Sequence, residues 1–254
     1  MVHLANHTTI SVQESLDDAE VAVLPVGSTE QHGPALPLGT DFMAAEALAH
    51  TLDDHEDALI LPTVPVGVSE HHRQFDGTLW VEPETFERYV TETLESVAAH
   101  GLRKAVIVNG HGGNADALGR SARRLRRTET LFATPWNWWD AVSELTEELF
   151  EGFGGHAGEV ESSMMLRVAE ALVREDQLAD AEDGASESWG RTVHGANVGF
   201  DTLDFSETGA VGRPTDGSRE AGEQLFDRAS DELDALVTWL AGESFEDLLP
   251  EDHV

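Results

Sequence analysis

The sequence predicts an α/β fold built in layers around a largely parallel sheet, and two observations lead to this prediction. Short, fully apolar segments rich in β-branched residues, such as those at 21–26 and 105–108, are typical of strands buried on both faces. Segments with helical periodicity follow them, and this alternation is the pattern of parallel sheets with crossover helices. No repeat and no linker interrupts the alternation, so we expect one domain over residues 1–254.

The first half of the chain alternates strands, loops and helices. Residues 21–26 form the first predicted strand, and the spacing of Ala, Leu and Met over 42–52 is that of a short amphipathic helix. Residues 58–66 are apolar but contain two prolines, which favour a strand that is near an edge or about to end. A proline at the start of 83–99 suits the first turn of a helix, and a glycine follows that segment.

The second half continues the alternation to about residue 173. The apolar strand at 105–108 leads into a helix for which Asn114 is a good N-cap. Residues 174–217 are rich in Gly and Asp and are predicted to form loops with short strands. The remaining predicted elements are a short strand at 131–134, a helix that ends near residue 173 and a long amphipathic helix over 218–240.

The charge balance of the chain is extreme. There are 49 acidic and 15 basic residues, which gives a formal net charge of -34, and Lys104 is the single lysine. Intrinsic disorder does not fit, because 40% of the residues are apolar and the periodic patterns persist. Such a surface is typical of proteins adapted to high salt, where counterions screen self-repulsion. We therefore expect a halophilic source and exclude nucleic acid and anionic membranes as partners, since phosphate binding needs clustered cations.

The chain contains no cysteine. Disulfides and thiolate ligands are therefore excluded, and any transition metal must be held by histidines and carboxylates. Residues 1–13 lack the basic and apolar regions of a signal peptide, and no apolar run approaches the length of a membrane span. These features predict a cytoplasmic protein.

Three polar loops, at 27–41, 67–78 and 109–114, each follow a predicted strand directly. The carboxyl ends of parallel strands lie at one edge of a sheet, so we expect these loops to meet there. Glu30 and His32 are two residues apart and point the same way if that segment is extended. With Asp41 and His111 they form a set of two carboxylates and two imidazoles, the hard and borderline ligands of a divalent metal site.

Adding Glu159 or Glu161 would supply enough ligands for two divalent ions, and Zn, Fe(II) and Mn all accept this set. Two adjacent ions polarise a carbonyl group and activate water near neutral pH. No Gly-x-Ser-x-Gly motif offers a rival nucleophile, and the loop at 110–113 lacks the lysine of a phosphate-binding loop.

Four motifs occur in order across residues 24–163: Gly-Ser-Thr-Glu-Gln-His-Gly at 27–33 with Leu-Gly-Thr-Asp at 38–41, the loop at 67–78, Asn-Gly-His-Gly-Gly-Asn at 109–114, and His-Ala-Gly-Glu-Val-Glu-Ser at 156–162. With these motifs the sequence resembles the creatininase family, the metal-dependent creatinine amidohydrolases and their relatives. The segment at 206–212 resembles a further, weaker signature of the family.

The resemblance implies a three-layer α/β/α fold, a homo-oligomer that is usually a hexamer, and a site for two divalent metal ions. By the family pattern Glu30 and His111 hold one ion, His32 holds the other and Asp41 bridges them. His156 is the general acid or base beside the scissile C–N bond.

The sequence departs from true creatininases after the histidine of the third motif. Those enzymes have Tyr and Glu where this chain has Gly112 and Gly113, so the resemblance assigns the missing carboxylate to Glu161, with Glu159 as the alternative ligand. We predict Glu159 and His156 as the catalytic residues. His72, Gly112 and Gly113 are the predicted contacts to substrate. The departure argues against creatinine itself as the substrate.

The predicted function is a metal-dependent amidohydrolase acting on a small-molecule amide or formamide. Relatives of the Asn-Gly-His-Gly-Gly-Asn form include a formamidopyrimidine deformylase and a peptidase. We favour a formamidopyrimidine nucleotide, because the acidic composition suggests a halophilic archaeon. Creatinine and a short peptide are the alternatives within the class, and a catalytically silent metal-binding structural protein is the alternative outside it.

Several of these residues also have a purely structural interpretation. The histidine at 156 would then only orient a ligand by a hydrogen bond, the one at 72 would be a satisfied structural residue, and one of the two glutamates would favour a helix N-terminus. Trp136, Trp138 and Trp139 either line a pocket for a flat heterocycle or pack in the core, and the sequence favours neither role.

Overall fold

The computed structural model describes residues 3–152 and 154–251. The predicted domain of residues 1–254 also includes Met1, Val2, Phe153 and residues 252–254, which lie outside the described residues. The helices are α1 (Val12–Asp18), α2 (Thr40–Ala49), α3 (Pro83–Ala98), α4 (Ala115–Arg127), α5 (Trp138–Ala141), α6 (Ser143–Leu149), α7 (Glu159–Val168), α8 (Leu178–Asp183) and α9 (Arg219–Gly242). The strands are β1 (Val21–Val26), β2 (Ala58–Ile60), β3 (Lys104–Asn109), β4 (Phe132–Asn137), β5 (Thr192–Val193) and β6 (Ala196–Asn197).

The central sheet has four parallel strands in the order β2-β1-β3-β4. The register places Val26 beside Asn109, and Asn109 beside Asn137. Three strands therefore end level with one another, and the loops that follow them begin at the same edge. The prediction of a largely parallel sheet is confirmed.

Side chains of successive strand residues point to opposite faces of this sheet. Val21 and Val23 belong to a core shared with α2 and α9, whereas Ala22 and Leu24 pack in a second core with α3 and α4. Each residue of the central strands β1 and β3 is buried because a helical layer covers both faces. The three-layer α/β/α arrangement is confirmed.

The second strand is shorter than predicted. It covers Ala58–Ile60 only, and the chain returns to the sheet at a single bridge between Val64 and Val26. Two prolines in this segment cannot donate to a strand ladder, which limits the pairing. The resulting edge strand ends before the loop that carries His72.

Asn114 does not cap α4, so this part of the prediction is wrong. Its backbone is already helical and its side chain makes no bond to the first turn. Instead, the buried amide of Asn114 donates to the carbonyl of Gly27 and accepts from the amide of Val68. It thereby ties the loops after β1 and β2 to the loop after β3.

The segment 174–217 contains the predicted short strands, as the antiparallel hairpin of β5 and β6, and also the unpredicted helix α8. The predicted helix after the fourth motif stops at Val168 rather than near 173, and a 3₁₀ turn continues the chain at Glu170–Leu172. The long last helix begins as predicted, with the Ser218 hydroxyl accepting from the amide of Ala221. Over the described ranges, no helix is long and apolar enough to cross a membrane.

Candidate metal centre and active site

The ligand candidates meet at the carboxyl edge of the sheet. Glu30 and His32 lie in the loop after β1, and Asp41 lies in the first turn of α2. His111 follows β3, and Glu161 lies in the first turn of α7. Four of these five residues are fully or almost fully buried, and Glu161 is 15% exposed at its side chain.

The first group of possible ligands consists of Glu30, Asp41 and His111. Nδ1 of His111 lies 3.1 Å from Oε1 of Glu30 and 3.1 Å from Oδ2 of Asp41. The second group consists of His32, Asp41 and Glu161. Nε2 of His32 lies 3.0 Å from Oδ1 of Asp41 and 3.5 Å from Oε2 of Glu161. Asp41 belongs to both groups and offers a different carboxylate oxygen to each.

Hydrogen bonds to backbone carbonyls orient the two imidazoles of these groups. Nε2 of His111 lies 3.0 Å from the carbonyl of Val68, and Nδ1 of His32 lies 3.2 Å from the carbonyl of Glu30. A carbonyl oxygen only accepts, so the proton of each ring sits on the nitrogen that faces away from the carboxylates. The other nitrogen of each ring points its lone pair at the cluster, which is how histidines in metal sites are held.

The buried carboxylates of the cluster need cations as partners. Within the described residues, both carboxylate oxygens of Glu30, Oδ2 of Asp41 and Nε2 of His32 have no hydrogen-bond partner. Buried carboxylates are costly unless they are paired or coordinate a metal. Divalent cations would satisfy all four atoms, so the donor set fits two ions that share Asp41.

The pKa shifts follow from this crowding. Burial opposes protonation of His32, but the carboxylates of Asp41 and Glu161 outweigh it and raise the pKa of His32 to about 10. Burial also raises the pKa of Glu161 to about 7, although His32 acts against it. Burial disfavours the ionised form of Asp41, but His32 and His111 hold its pKa well below the usual range. Protons thus take the place of metal ions in the metal-free protein.

His156 lies against the same cluster. Its Nε2 is 2.8 Å from the carbonyl of Gln31, and its Nδ1 is 3.8 Å from Oε1 of Glu30 and 4.0 Å from Oε2 of Glu161. With Glu30 and His32 it forms a third group of possible ligands. Burial and the neighbouring His32 hold the pKa of His156 well below its usual value, so the ring is neutral at pH 7.

Gln31 organises the histidines, a role that sequence reasoning missed. Its side-chain oxygen accepts from the amide of Gly33, so its NH₂ group points at His72 and Gly209. The NH₂ group donates to Nδ1 of His72 at 2.8 Å, which leaves the proton of that ring on Nε2, 3.3 Å from Oε1 of Glu30. The alternation that makes Glu30 and His32 point the same way predicts the opposite direction for Gln31, so no local pattern in the sequence indicated this role.

Glu159 does not join the cluster. Its side chain is fully buried behind the cavity, and its Oε2 accepts from the backbone amide of Arg213 at 2.6 Å. A Cβ atom at Gly152 or Gly212 would overlap its carboxylate. We therefore replace the predicted catalytic role with a positioning role: Glu159 holds two segments together beside the bridge between His156 and Val211.

A cavity of about 1010 Å³ opens onto the cluster. Its walls include His72, Gly112 and Gly113, the predicted substrate contacts. Space beside Gly112 is empty, because a Cβ there would have no atom within 4 Å, whereas a Cβ at Gly113 would overlap Val68 and His111. Among the described residues that line this cavity, none is Lys or Arg, and its outer wall carries Asp140, Glu147, Glu151 and several aromatic side chains.

The aromatic wall includes Trp138 and Trp139 from the tryptophan-rich segment. Trp138 is also almost fully buried, so it both lines the cavity and packs in the core. Trp189 was not predicted: its ring stands edge-on to His72 and His156, with centroids 6.1 Å apart in each pair. It lies in the weakly patterned segment, where no periodicity marks a residue as inward-facing.

A family model described as creatininase, creatinine amidohydrolase, matches residues 5–237 of this chain. The chain belongs to the creatininase family. The predicted family and the enzyme class, a metal-dependent amidohydrolase, are therefore confirmed.

Individual relatives agree with this assignment. A mycofactocin precursor peptide peptidase of Mycobacterium tuberculosis is 32% identical over 214 residues, which cover 80% of this chain and 79% of the relative. A creatinine amidohydrolase of Pseudomonas putida is 28% identical over 178 residues, which cover 63% of this chain and 68% of the relative.

Solved structures of the creatininase family share the fold. A Zn–Zn form of a mutant creatininase matches with a TM-score of 0.80 at 22% identity and covers 95% of this chain and 99% of that one. A Mn form matches with a TM-score of 0.79 at 23% identity and the same two coverages, 95% and 99%. At these identities the likeness establishes a shared fold, and the buried ligand groups of this chain lie within that fold.

Proposed function

We propose that this chain hydrolyses an amide C–N bond in a substrate that carries no phosphate and is about as large as a short peptide. The observation behind this proposal is the cavity of about 1010 Å³, with possible metal ligands on one wall and no Lys or Arg among its described lining residues. The favoured substrate predicted from the sequence, a formamidopyrimidine nucleotide, carries a phosphate.

The charge of the cavity argues for the phosphate-free substrate. Proteins bind phosphate with Arg, Lys or helix N-termini, which supply charge-assisted hydrogen bonds. Here Asp140, Glu147 and Glu151 supply negative charge instead. A neutral or cationic substrate with apolar groups suits this wall and its tryptophans.

The size of the cavity argues against a substrate as small as creatinine. Gly112 leaves open space where true creatininases carry a side chain that touches substrate. The relative at 32% identity is named as a peptidase acting on a peptide precursor. These two facts favour an extended amide over a small ring.

The residues of the site divide the chemistry between them. When bound, two divalent ions polarise the substrate carbonyl and lower the pKa of water. Glu30, His111, His32 and Glu161 would hold them, with Asp41 shared. His156 is neutral, so its Nδ1 takes a proton from the attacking water and delivers it to the leaving nitrogen as the C–N bond breaks. Gln31 and His72 keep the cluster oriented, and Trp189 covers it.

A substrate panel at molar salt tests the proposal. It contains the formamidopyrimidine nucleotide, its nucleoside, creatinine and a peptide ending in Val-Tyr, assayed with Zn²⁺ or Mn²⁺. We expect the nucleoside or the peptide to exceed the nucleotide in kcat/KM by at least about tenfold. A nucleotide that reacts faster than its nucleoside would contradict the substrate proposal.

A variant comparison tests the enzyme assignment itself. His156→Gln should lower kcat by about 10²-fold or more while the bound metal stays unchanged. The control is His100→Gln, which changes an exposed histidine after α3. Equal rates in both variants, with both metal ions bound, would favour the silent metal-binding protein.

A further inference from the structure

We propose that His3, His50 and Asp53 form a third cation site, separate from the cavity and suited to Zn²⁺ or a similar transition metal. These three residues form the one group of possible ligands, within the described part of the chain, that lies outside the cluster around Asp41. His50 directly follows α2, whose first turn carries Asp41. At the rise of a helix the two positions are about 13 Å apart.

The three ligand atoms already converge. Oδ1 of Asp53 lies 2.6 Å from Nε2 of His3 and 3.5 Å from Nδ1 of His50. The two imidazoles lie with their centroids 4.4 Å apart and their planes tilted by 34°. Ligands of tetrahedral zinc, with bonds of about 2.0–2.1 Å, lie about 3.3 Å from one another. The three ligand atoms lie within 4.8 Å of one another, so each separation needs to change by no more than about 1.5 Å to admit the ion.

The local sequence explains this convergence. His50 and Asp53 are three residues apart and share a face with Glu46, which lies four residues before His50. The N-terminal segment brings His3 to them, because His3 pairs with Ile60 at the edge of the sheet. His3, His50 and Glu46 also line a second cavity of about 470 Å³.

The donor set selects the kind of cation. Two imidazoles and one carboxylate suit Zn²⁺, Co²⁺, Ni²⁺ or Cu²⁺ rather than Mg²⁺ or Ca²⁺, which prefer oxygen ligands. A simple ion pair with Asp53 would need one histidine, yet both rings face the same carboxylate oxygen. His50 and Asp53 are about half exposed, so water has access to complete the coordination. A bound ion would join the N-terminal segment to the end of α2.

Metal stoichiometry tests this site on the full chain. Wild-type protein, His50→Gln, Asp53→Asn and the control His100→Gln are equilibrated with buffered Zn²⁺ and analysed by mass spectrometry for zinc per chain. We expect His50→Gln and Asp53→Asn to bind one ion fewer than the wild type and the control, with amidase activity changed less than about twofold. Zinc should also raise the Tm of these two variants less than it raises the Tm of the wild type.

Variants made in an Asp41→Asn protein separate this site from the metal centre in the cavity. Asp41→Asn weakens that centre but leaves the His3 site intact, so Asp41→Asn should retain one zinc that Asp41→Asn/His50→Gln loses. Circular dichroism checks that each variant is folded. The proposal would be overturned by equal zinc content in the two Asp41→Asn proteins, or by equal zinc content in the wild type and His50→Gln. Neither result would bear on the proposed function.

Discussion

Asp41 is the residue on which both ligand groups in the cavity depend, because its two oxygens face His32 on one side and His111 on the other. His32 and His111 are held by the backbone carbonyls of Glu30 and Val68. The other nitrogen of each ring therefore faces the carboxylates, where it carries a proton in the metal-free protein and would bind a cation once that proton is lost. At the residue scale the site is pre-organised, and its metal-free state is balanced by protons.

Metal binding should become tighter as the pH rises. A metal ion must displace the proton of His32, whose pKa is raised to about 10, and that of Glu161, whose pKa is raised to about 7. We expect zinc or manganese affinity to increase from pH 6 to pH 9, most steeply near and below pH 7, where both groups are protonated. Isothermal titration calorimetry in buffers of different ionisation enthalpy measures the affinity and the protons released.

His32 and Glu161 also determine how the stability of the metal-free fold changes with pH. Both have raised pKa values, so their contribution to the metal-free fold is full below the unfolded values of 6.5 for His32 and 4.5 for Glu161, and is lost as the pH rises through about 10 and about 7. The gain in Tm on adding metal should therefore widen between pH 6 and pH 9. A gain that narrows over this range would contradict the assignment of these two ligands.

Glu159 offers a test of positioning against ligation. Glu159→Ala leaves the amide of Arg213 without its acceptor and a void behind the cavity, so we expect a loss of about 2–4 kcal/mol in the free energy of unfolding. Glu159→Gln keeps the shape and the acceptor and should lose less. Urea denaturation measures both, and zinc content should stay at the wild-type value. Loss of zinc from a folded Glu159→Gln protein would instead make this residue a ligand.

At the scale of elements, the site depends on how closely the loop after β3 approaches the start of α2. The amide of Gly110 donates to the carbonyl of Val26, and a Cβ at Gly110 would overlap the backbone carbonyl of Asp41. Residue 110 must be glycine because there is no room for a Cβ atom. Its backbone conformation does not require glycine, since its φ is not positive. Asn114 then fastens three loops together from behind.

A pair of glycine substitutions tests this close approach. Gly110→Ala should push α2 away from β3, lower the free energy of unfolding by about 1–3 kcal/mol and reduce zinc content. The matched control is Gly119→Ala inside α4, where a Cβ would meet no atom within 4 Å. The control should raise the free energy of unfolding by about 0.5–1 kcal/mol, because alanine favours a helix over glycine. Thermal and urea denaturation compare the two, and a Gly110→Ala protein with normal zinc content would contradict this interpretation.

At the scale of the whole molecule, the net charge of -34 opposes folding through self-repulsion. Salt screens that repulsion, so the Tm should rise between about 0.1 M and about 2 M KCl, with most of the screening complete once the Debye length falls to a few ångströms. Sucrose is the control, because it favours the compact state without screening charge. A Tm that rises equally in both solutions, or does not respond to KCl, would remove the reason for expecting a halophilic source.

The homo-oligomer expected from the family resemblance stays a prediction. Exposed apolar side chains, including Trp189, Phe200 and Leu203, lie in and around the β5–β6 segment and would suit a subunit contact. Light scattering after gel filtration in molar KCl measures the mass. We expect a multiple of the 27.6 kDa chain, with six copies as the family pattern implies, and a monomer would contradict the expectation.

The sequence by itself determined the parts that depend on short-range pattern and on a general rule of topology. Apolar runs located β1 and β3, and the rule that loops after parallel strands share an edge brought together Glu30, His32 and His111. The absence of cysteine limited the metal ligands to histidines and carboxylates. None of these inferences required knowing how one helix is turned against another.

Only the tertiary structure decided questions of orientation. Residues two apart on a helix point about 200° away from each other, so Glu159 and Glu161 face opposite directions, and the sequence does not say which one meets the cluster. The packing of α7 turns Glu161 towards His32 and Glu159 towards Arg213. Trp189 and the pairing of His3 with Asp53 depend in the same way on contacts between segments far apart in the chain, which no local pattern encodes.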